Sequence, residues 1–298
     1  MKTTVNTELK FSVDWLTVCV YATSLNEFLE FFEQFLPVPQ NDYWIPGRPQ
    51  RFYHYALNLN GQKIISLEFN FDPDLDDGDT IESRSQSGIN RGILLNISGD
   101  GLRYLGSENF FKLIGRLSDK WDSHYTRIDL ACDFYNPENT VIPLILGAVE
   151  NTLHERVGCP GIVSRCHDLQ LFNNKDKFNH TVSRSATIGK RGGRFTRIYD
   201  KCLEQRLKPY NAKRIEEIPD YWYRIELEVR PTTTYEEPNT IVKYLLDGVS
   251  LQECFLNQLN KAFRIDYIKG RYDSYFRSEE DETWQAFLID LSQNKYFV

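Results

Sequence analysis

The 298-residue chain has no apolar run long enough to cross a bilayer. Its opening residues, MKTTVNTELKFSVDW, lack the apolar core of a secretory signal. A cytoplasmic protein with no membrane partner is therefore expected. The six cysteines, Cys19, Cys132, Cys159, Cys166, Cys202 and Cys254, contain no C-x-x-C pair, and a chain this long needs no disulfide staples. Cys132 and Cys202 lie in alternating apolar stretches, where a free thiol acts as a small hydrophobe. The five histidines form no H-x-H and no H-E-x-x-H, and no spacing to cysteine reads as a zinc site. No linker rich in Gly, Ser or Pro divides the chain.

What is present is apolar mass and an uneven charge. Apolar residues make up 41% of the chain, enough for one large core or two small ones. The net charge of −7 argues against a surface that binds nucleic acid throughout. Yet residues 184–214 carry ten cations against only Asp200 and Glu204. Acid collects elsewhere, in FDPDLDDGD (71–79) and RSEEDE (277–282).

Periodicity predicts a strand at 13–22, a Ser-capped helix at 24–36 and a hairpin over 52–70 turning at Asn60-Gly61. After an acidic loop at 71–88, it predicts a strand and Gly-rich turn at 92–102, a helix at 107–121 and a strand at 124–135. A second series follows: a helix at 139–153, strands near 161–172, 181–189, 193–204 and 221–230, then helices near 239–257 and 280–292. The fold class is α+β, a curved antiparallel sheet with helices packed on one face, duplicated into two lobes. The expected division is a catalytic domain over 1–235, with lobes at 1–136 and 137–235, and a helical segment over 236–298.

Three of these strands have one unusual face. Side chains alternate across a strand. Arg127, Asp129 and Asp133 share a face at 124–135; Arg197, Tyr199 and Lys201 share one at 193–204; Arg224, Glu226, Glu228 and Arg230 share one at 221–230. The alternation by itself is also what a half-exposed sheet with cross-strand charge ladders shows. Carboxylates are poor strand residues, however, and four occupy regular strand positions. Converging carboxylates can hold a hard divalent cation, neighbouring cations a phosphate, and a phenol between them can act as nucleophile.

At these residues the chain resembles the replication initiation factors of rolling-circle plasmids, the trans-acting Rep type, with related relaxases of conjugative elements. The matching pieces, in order, are DWLTV (14–18), NISGDGLRYL (96–105), TRIDLACDF (126–134), TIGKRGGRFTRIYDKCLE (187–204) and YWYRIELEVR (221–230). The resemblance implies an origin-specific DNA nicking-closing enzyme that forms a covalent 5′-phosphotyrosine and leaves a 3′-OH primer. It implies Mg²⁺ or Mn²⁺ as cofactor, and as partners origin DNA, single-stranded or locally melted, a host helicase and a second copy of the chain. Some relatives carry an additional tyrosine where this chain has Phe195. A phenyl ring cannot attack a phosphate, so the nucleophile falls to Tyr199.

The expected metal ligands are Asp129, Asp133, Glu226 and Glu228. Arg197, Lys201 and Arg224 are expected to position the scissile phosphate. Lys190, Arg191 and Arg194, in a Gly-rich basic tip, and Arg127 are expected to follow DNA phosphates. Tyr221, Trp222 and Tyr223 are aromatics that can stack exposed bases. Origin preference is expected in the C-terminal segment, with Lys243, Lys261, Arg264, Lys269 and Arg271. Three other readings stay open: a conjugative-element relaxase, a DNA-binding protein of the same fold without nicking activity, and a carboxylate-pair hydrolase such as a glycosidase.

Overall fold

A computed structural model describes residues 9–22, 24–38, 42–50, 53–70, 92–164, 168–175, 181–208, 215–231, 236–269 and 278–293. The acidic loop expected at 71–88, Cys166, Lys213, Arg214 and Arg271 lie outside the described residues. The elements of the first half are β1 (Leu9–Val20), α1 (Leu25–Glu33), β2 (Trp44–Pro46), β3 (Tyr55–Leu59), β4 (Ile65–Phe69), β5 (Ile93–Ser98), α2 (Gly99–Leu105), α3 (Ser107–Lys120) and β6 (Ser123–Phe134). The second half holds α4 (Val141–Leu153), β7 (Cys159–Val163), β8 (Leu169–Lys175), β9 (Thr181–Gly189), β10 (Arg194–Asp200) and α5 (Lys201–Leu207). It continues with β11 (Tyr223–Val229), α6 (Glu236–Leu246), α7 (Leu251–Ala262), β12 (Arg264–Ile268), β13 (Glu279–Glu280) and α8 (Glu282–Gln293).

Ten strands form one open antiparallel sheet, ordered β2-β3-β4-β5-β1-β6-β11-β10-β9-β8. A second sheet is ordered β13-β12-β7. The chain divides into two compact units that interleave. One comprises Met1–Ser12, Leu130–Val229 and Val249–Val298; the other comprises Val13–Asp129 and Arg230–Gly248. The expected mixed α+β architecture is what the chain adopts.

In the unit built on Val13–Asp129, register explains the apolar side. Leu16 faces Ile97, Val18 faces Leu95 and Val20 faces Ile93 across β1 and β5, and Leu67 of β4 lies opposite Leu95. All of these side chains are buried. The intervening positions carry Thr17 opposite Asn96, and Ser66 opposite both Asn96 and Asn58. The hairpin turns at Asn60 and Gly61, both at positive φ, as the sequence predicts. Helix α1 is capped by the Ser24 hydroxyl, which accepts from the Glu27 N–H at 3.1 Å. Its Phe28 and Phe31 rings lie 5.7 Å and 4.8 Å from Trp121.

The other unit also has a buried row across its strands. Ile198 faces Ile225 and Thr196 faces Leu227 across β10 and β11, and Ala186 and Ile188 of β9 continue the row. The buried faces of α4 (Ile142, Ile145, Val149), α7 (Cys254, Phe255, Leu259) and α8 (Trp284, Phe287, Leu291) supply the rest of this unit's core. Phe134 meets Phe287 with ring centroids 6.0 Å apart, and Phe11 meets Phe255 edge-on at 5.5 Å.

The strand expected near 161–172 is two, β7 and β8, in different sheets, and the helical segment expected over 236–298 also holds strands β12 and β13. Three further boundaries differ for a local reason. The strand expected over 193–204 stops at Asp200, whose carboxylate accepts from the Leu203 N–H at 2.8 Å and starts α5. The single helix expected over 239–257 is two, broken at Gly248 (φ +85°) and restarted by Ser250, which accepts from the Glu253 N–H at 3.1 Å. The Gly-rich turn after β5 is helix α2, capped by Ser98. The described cysteines Cys19, Cys132, Cys159, Cys202 and Cys254 are free thiols. Burial pushes Cys19 and Cys254 up to about 11, so both are protonated and inert at neutral pH.

The tip between β9 and β10 depends on Gly189, at φ +89° with its Cα hydrogen pointing at the Arg194 carbonyl; a Cβ there would stand 2.4 Å from that oxygen. Gly192 is also at positive φ, but a Cβ there would meet nothing within 4 Å. Gly189→Ala should therefore cost about 1–3 kcal/mol of stability in urea denaturation, and Gly192→Ala distinctly less. Equal losses would show that the hairpin relaxes around the added carbon.

Candidate functional site

The site lies in the unit that holds β10 and β11. Their antiparallel register sets Phe195 opposite Glu228, Arg197 opposite Glu226 and Tyr199 opposite Arg224. Residues directly opposite share a face, so these six side chains line one surface. The β6 residue Asp133 joins them, because its carboxylate takes both Nε (2.7 Å) and Nη2 (2.8 Å) of Arg224. Trp222 donates its indole N–H to the same carboxylate at 2.6 Å.

Tyr199 sits between opposite charges. Its hydroxyl donates to Glu226 Oε2 at 3.0 Å, and Lys201 Nζ donates to that hydroxyl at 3.3 Å. Arg197 binds the other oxygen of Glu226, and its guanidinium lies 5.8 Å from the centre of the phenol ring. Lys201 belongs to α5 rather than to the strand, yet it reaches back over the ring at 5.4 Å. It is 6% exposed and also pairs with Glu204 at 2.8 Å, which Lys208 approaches at 3.0 Å. Burial pushes the Glu204 carboxyl up, but Lys201 and Lys208 outweigh it and hold the group below the ordinary glutamate value. A half-buried phenol with a carboxylate acceptor on one side and an ammonium on the other can lose a proton and carry negative charge.

The four expected metal-ligand carboxylates are all buried in strands. Asp133 and Glu226 lie in the unit of Tyr199, each already facing a guanidinium. Glu228 shares their face, opposite Phe195. Asp129 belongs to the other unit, where Arg127 binds it through Nε at 2.8 Å and stacks on the Trp15 ring at 4.6 Å. Among the described residues no three His, Cys, Asp or Glu side chains gather as a metal site. As arranged, the carboxylates fit arginine rather than an ion.

Of the cations expected to meet DNA, Lys190 and Arg191 are exposed at the basic tip, and Arg194 is half-buried at the start of β10. Arg191 leans over Phe195 at 5.4 Å. Arg127 is occupied by Asp129, and Arg224, 2% exposed, by Asp133. The three consecutive aromatics separate: Tyr221 and Tyr223 pack on each other at 5.4 Å, while Trp222 stacks on Tyr135 at 5.7 Å. Tyr135 was not among the expected residues. Its signal was present, since it stands two residues beyond Asp133 in the same alternation.

Comparison with known proteins follows this geometry. Residues 123–298 match the family described as replication initiation factor. The fold matches the solved structure of a rolling circle replication initiator protein from Geobacillus stearothermophilus with a TM-score of 0.68 and 18% sequence identity. That match covers 97% of this chain and 98% of the other. No curated protein matches the sequence.

The Asp133–Arg224 pair is the most testable part of the site. Asp133→Asn leaves a buried guanidinium without its counter-charge and should lower stability by about 3–5 kcal/mol, read by chemical denaturation. Unchanged stability together with a raised metal requirement would instead make Asp133 a metal ligand.

Proposed function

The chain belongs to the replication initiation factor family, and from that premise we propose that it nicks and rejoins one DNA strand at a replication origin through Tyr199. The observation that carries this reading is the Tyr199 hydroxyl held between Glu226 and Lys201. Glu226, expected from sequence as a metal ligand, is here the acceptor for the phenolic proton. The tyrosine oxygen attacks phosphorus and forms the 5′-phosphotyrosine bond. The P–O3′ bond breaks, and the leaving oxygen takes a proton from solvent to become the 3′-OH primer. One phosphodiester is exchanged for another, so the reverse attack rejoins the strand.

Lys201 and Arg197 stand where negative charge grows in this transfer, and preorganised cations there lower its barrier. Dependence on Mg²⁺ or Mn²⁺ is part of the proposal and rests on the family resemblance. Asp129, Asp133, Glu226 and Glu228 remain the candidate ligands; at Asp129, Asp133 and Glu226 an ion would have to displace a guanidinium. The proposed partner is single-stranded or locally melted origin DNA, with a host helicase and a second copy of the chain as further partners.

Tyr199→Phe removes only the hydroxyl. With single-stranded origin DNA and Mn²⁺, the parent should form a covalent adduct on a denaturing gel, and this variant should form none while still binding. Adduct formation by the variant at the parental level sinks the assignment. Excess chelator should likewise stop the parent from nicking.

Lys190 and Arg191 are placed to follow the phosphate backbone without reading bases. Replacing either with alanine should weaken binding to all sequences alike and reduce the salt slope of log K by about one unit or less. A double variant that keeps the parental slope would remove the tip from the DNA path.

A further inference from the structure

Trp222 and Tyr135 stack with ring centroids 5.7 Å apart and planes 30° from parallel, and both rings are partly exposed. Both extend the face that carries Tyr199. Tyr135 directly follows β6, two residues beyond Asp133, and Trp222 directly precedes β11, two residues before Arg224, the register partner of Tyr199. The backbone ladder runs on past the strand ends, since the N–H groups of Lys201 and Cys202 donate to the Trp222 carbonyl at 2.8 and 3.0 Å. Two residues of strand place the indole roughly 7 Å along from the phenol, within the reach of one nucleotide.

The orientation of Trp222 is fixed rather than free. Its N–H is spent on Asp133 at 2.6 Å, and the Arg224 guanidinium lies 5.8 Å from its ring centre. The same carboxylate that holds Arg224 thus also sets the indole plane. An aromatic pair that served only the core would be buried, as Trp284 and Phe287 are. A partly exposed pair, locked by a buried charge beside the nucleophile, is built to receive a flat ring.

We propose that Trp222 and Tyr135 form a stacking platform for the nucleobase adjoining the scissile phosphate. This rests on the reading of Tyr199 as the nucleophile of a single-strand nick. The platform is a positioning device. Stacking one base fixes the sugar-phosphate that follows it, so the phosphorus is presented to the Tyr199 oxygen. Because every base offers a π-face, the platform tolerates sequence and leaves origin choice to other contacts. The Tyr221–Tyr223 pair is not part of it: the Tyr221 hydroxyl is engaged by Asn139 at 2.6 Å, and burial raises both phenols.

The test uses the full chain labelled with 5-fluorotryptophan, without metal so that no strand is cut. Trp222→Phe assigns the Trp222 fluorine resonance. The probes are a mixed-sequence single-stranded 20-mer and a 20-mer of abasic backbone with the same charge. The Trp222 resonance should shift with the base-bearing strand and stay in place with the abasic one. In parallel, Trp222→Leu and Tyr135→Leu should each bind the base-bearing strand about 5- to 100-fold more weakly, with no change on the abasic strand, and Trp222→Phe should recover most of the difference. A Trp222 resonance that moves equally with both strands, or equal losses on both, overturns the platform while leaving the nucleophile assignment standing. Failure of the parent to bind either strand overturns both.

Discussion

The register between β10 and β11 is the constraint on which the site depends. Side-chain direction repeats every two residues, so a slip of one would send Tyr199 and Arg197 to the helix side and bring Ile198 to the surface. The slip is opposed from below: Ile198 against Ile225 and Thr196 against Leu227 are buried, and a shift of one residue would turn Ile198 out of the core. The apolar row therefore fixes the polar row above it. Glu226 meets the Tyr199 hydroxyl because hydrophobic burial on the opposite face leaves it no other place.

The polar row has its own cost. Placing Asp133, Glu226 and Glu228 in the middle of a sheet buries carboxylates that water would otherwise solvate. The unit meets this with guanidinium: Arg224 on Asp133 and Arg197 on Glu226. A buried pair of this kind adds little net stability but makes the loss of either member expensive. The residues nearest Tyr199 are consequently held in one arrangement, as the proposed transfer would require.

Much of this was legible in the residues themselves. Strict alternation in TRIDLACDF and YRIELEV revealed two strands with one charged face, and RFTRIYDK marked the phenol among cations. What alternation does not carry is register, so the hydrogen bond from Tyr199 to Glu226 and the pairing of Asp133 with Arg224 were out of reach: they join residues 27 and 91 positions apart. For the same reason alternation shows four carboxylates on like faces but not the guanidinium that Asp129, Asp133 and Glu226 each face. Lys201 was misplaced onto a strand because an Asp cap looks like any other strand-end carboxylate. Tyr135 continues the alternation of its strand, but only its stacking on a residue 87 positions away gives it meaning.

The edge-on contact of Phe11 with Phe255 has a bearing on how the chain comes into being. It joins the first described strand to a helix in the last sixth of the sequence, inside the unit that carries Tyr199. During synthesis, the stretch from Val13 to Asp129 emerges early and nearly whole, lacking only Arg230–Gly248. The unit that carries Tyr199 instead gathers its core from segments far apart in sequence, and α7 and α8 leave the ribosome after every residue of the candidate site. Its hydrophobic interior closes only after α8 has been made. A nascent chain that ends before α7 thus presents Tyr199 on a sheet that lacks its apolar support.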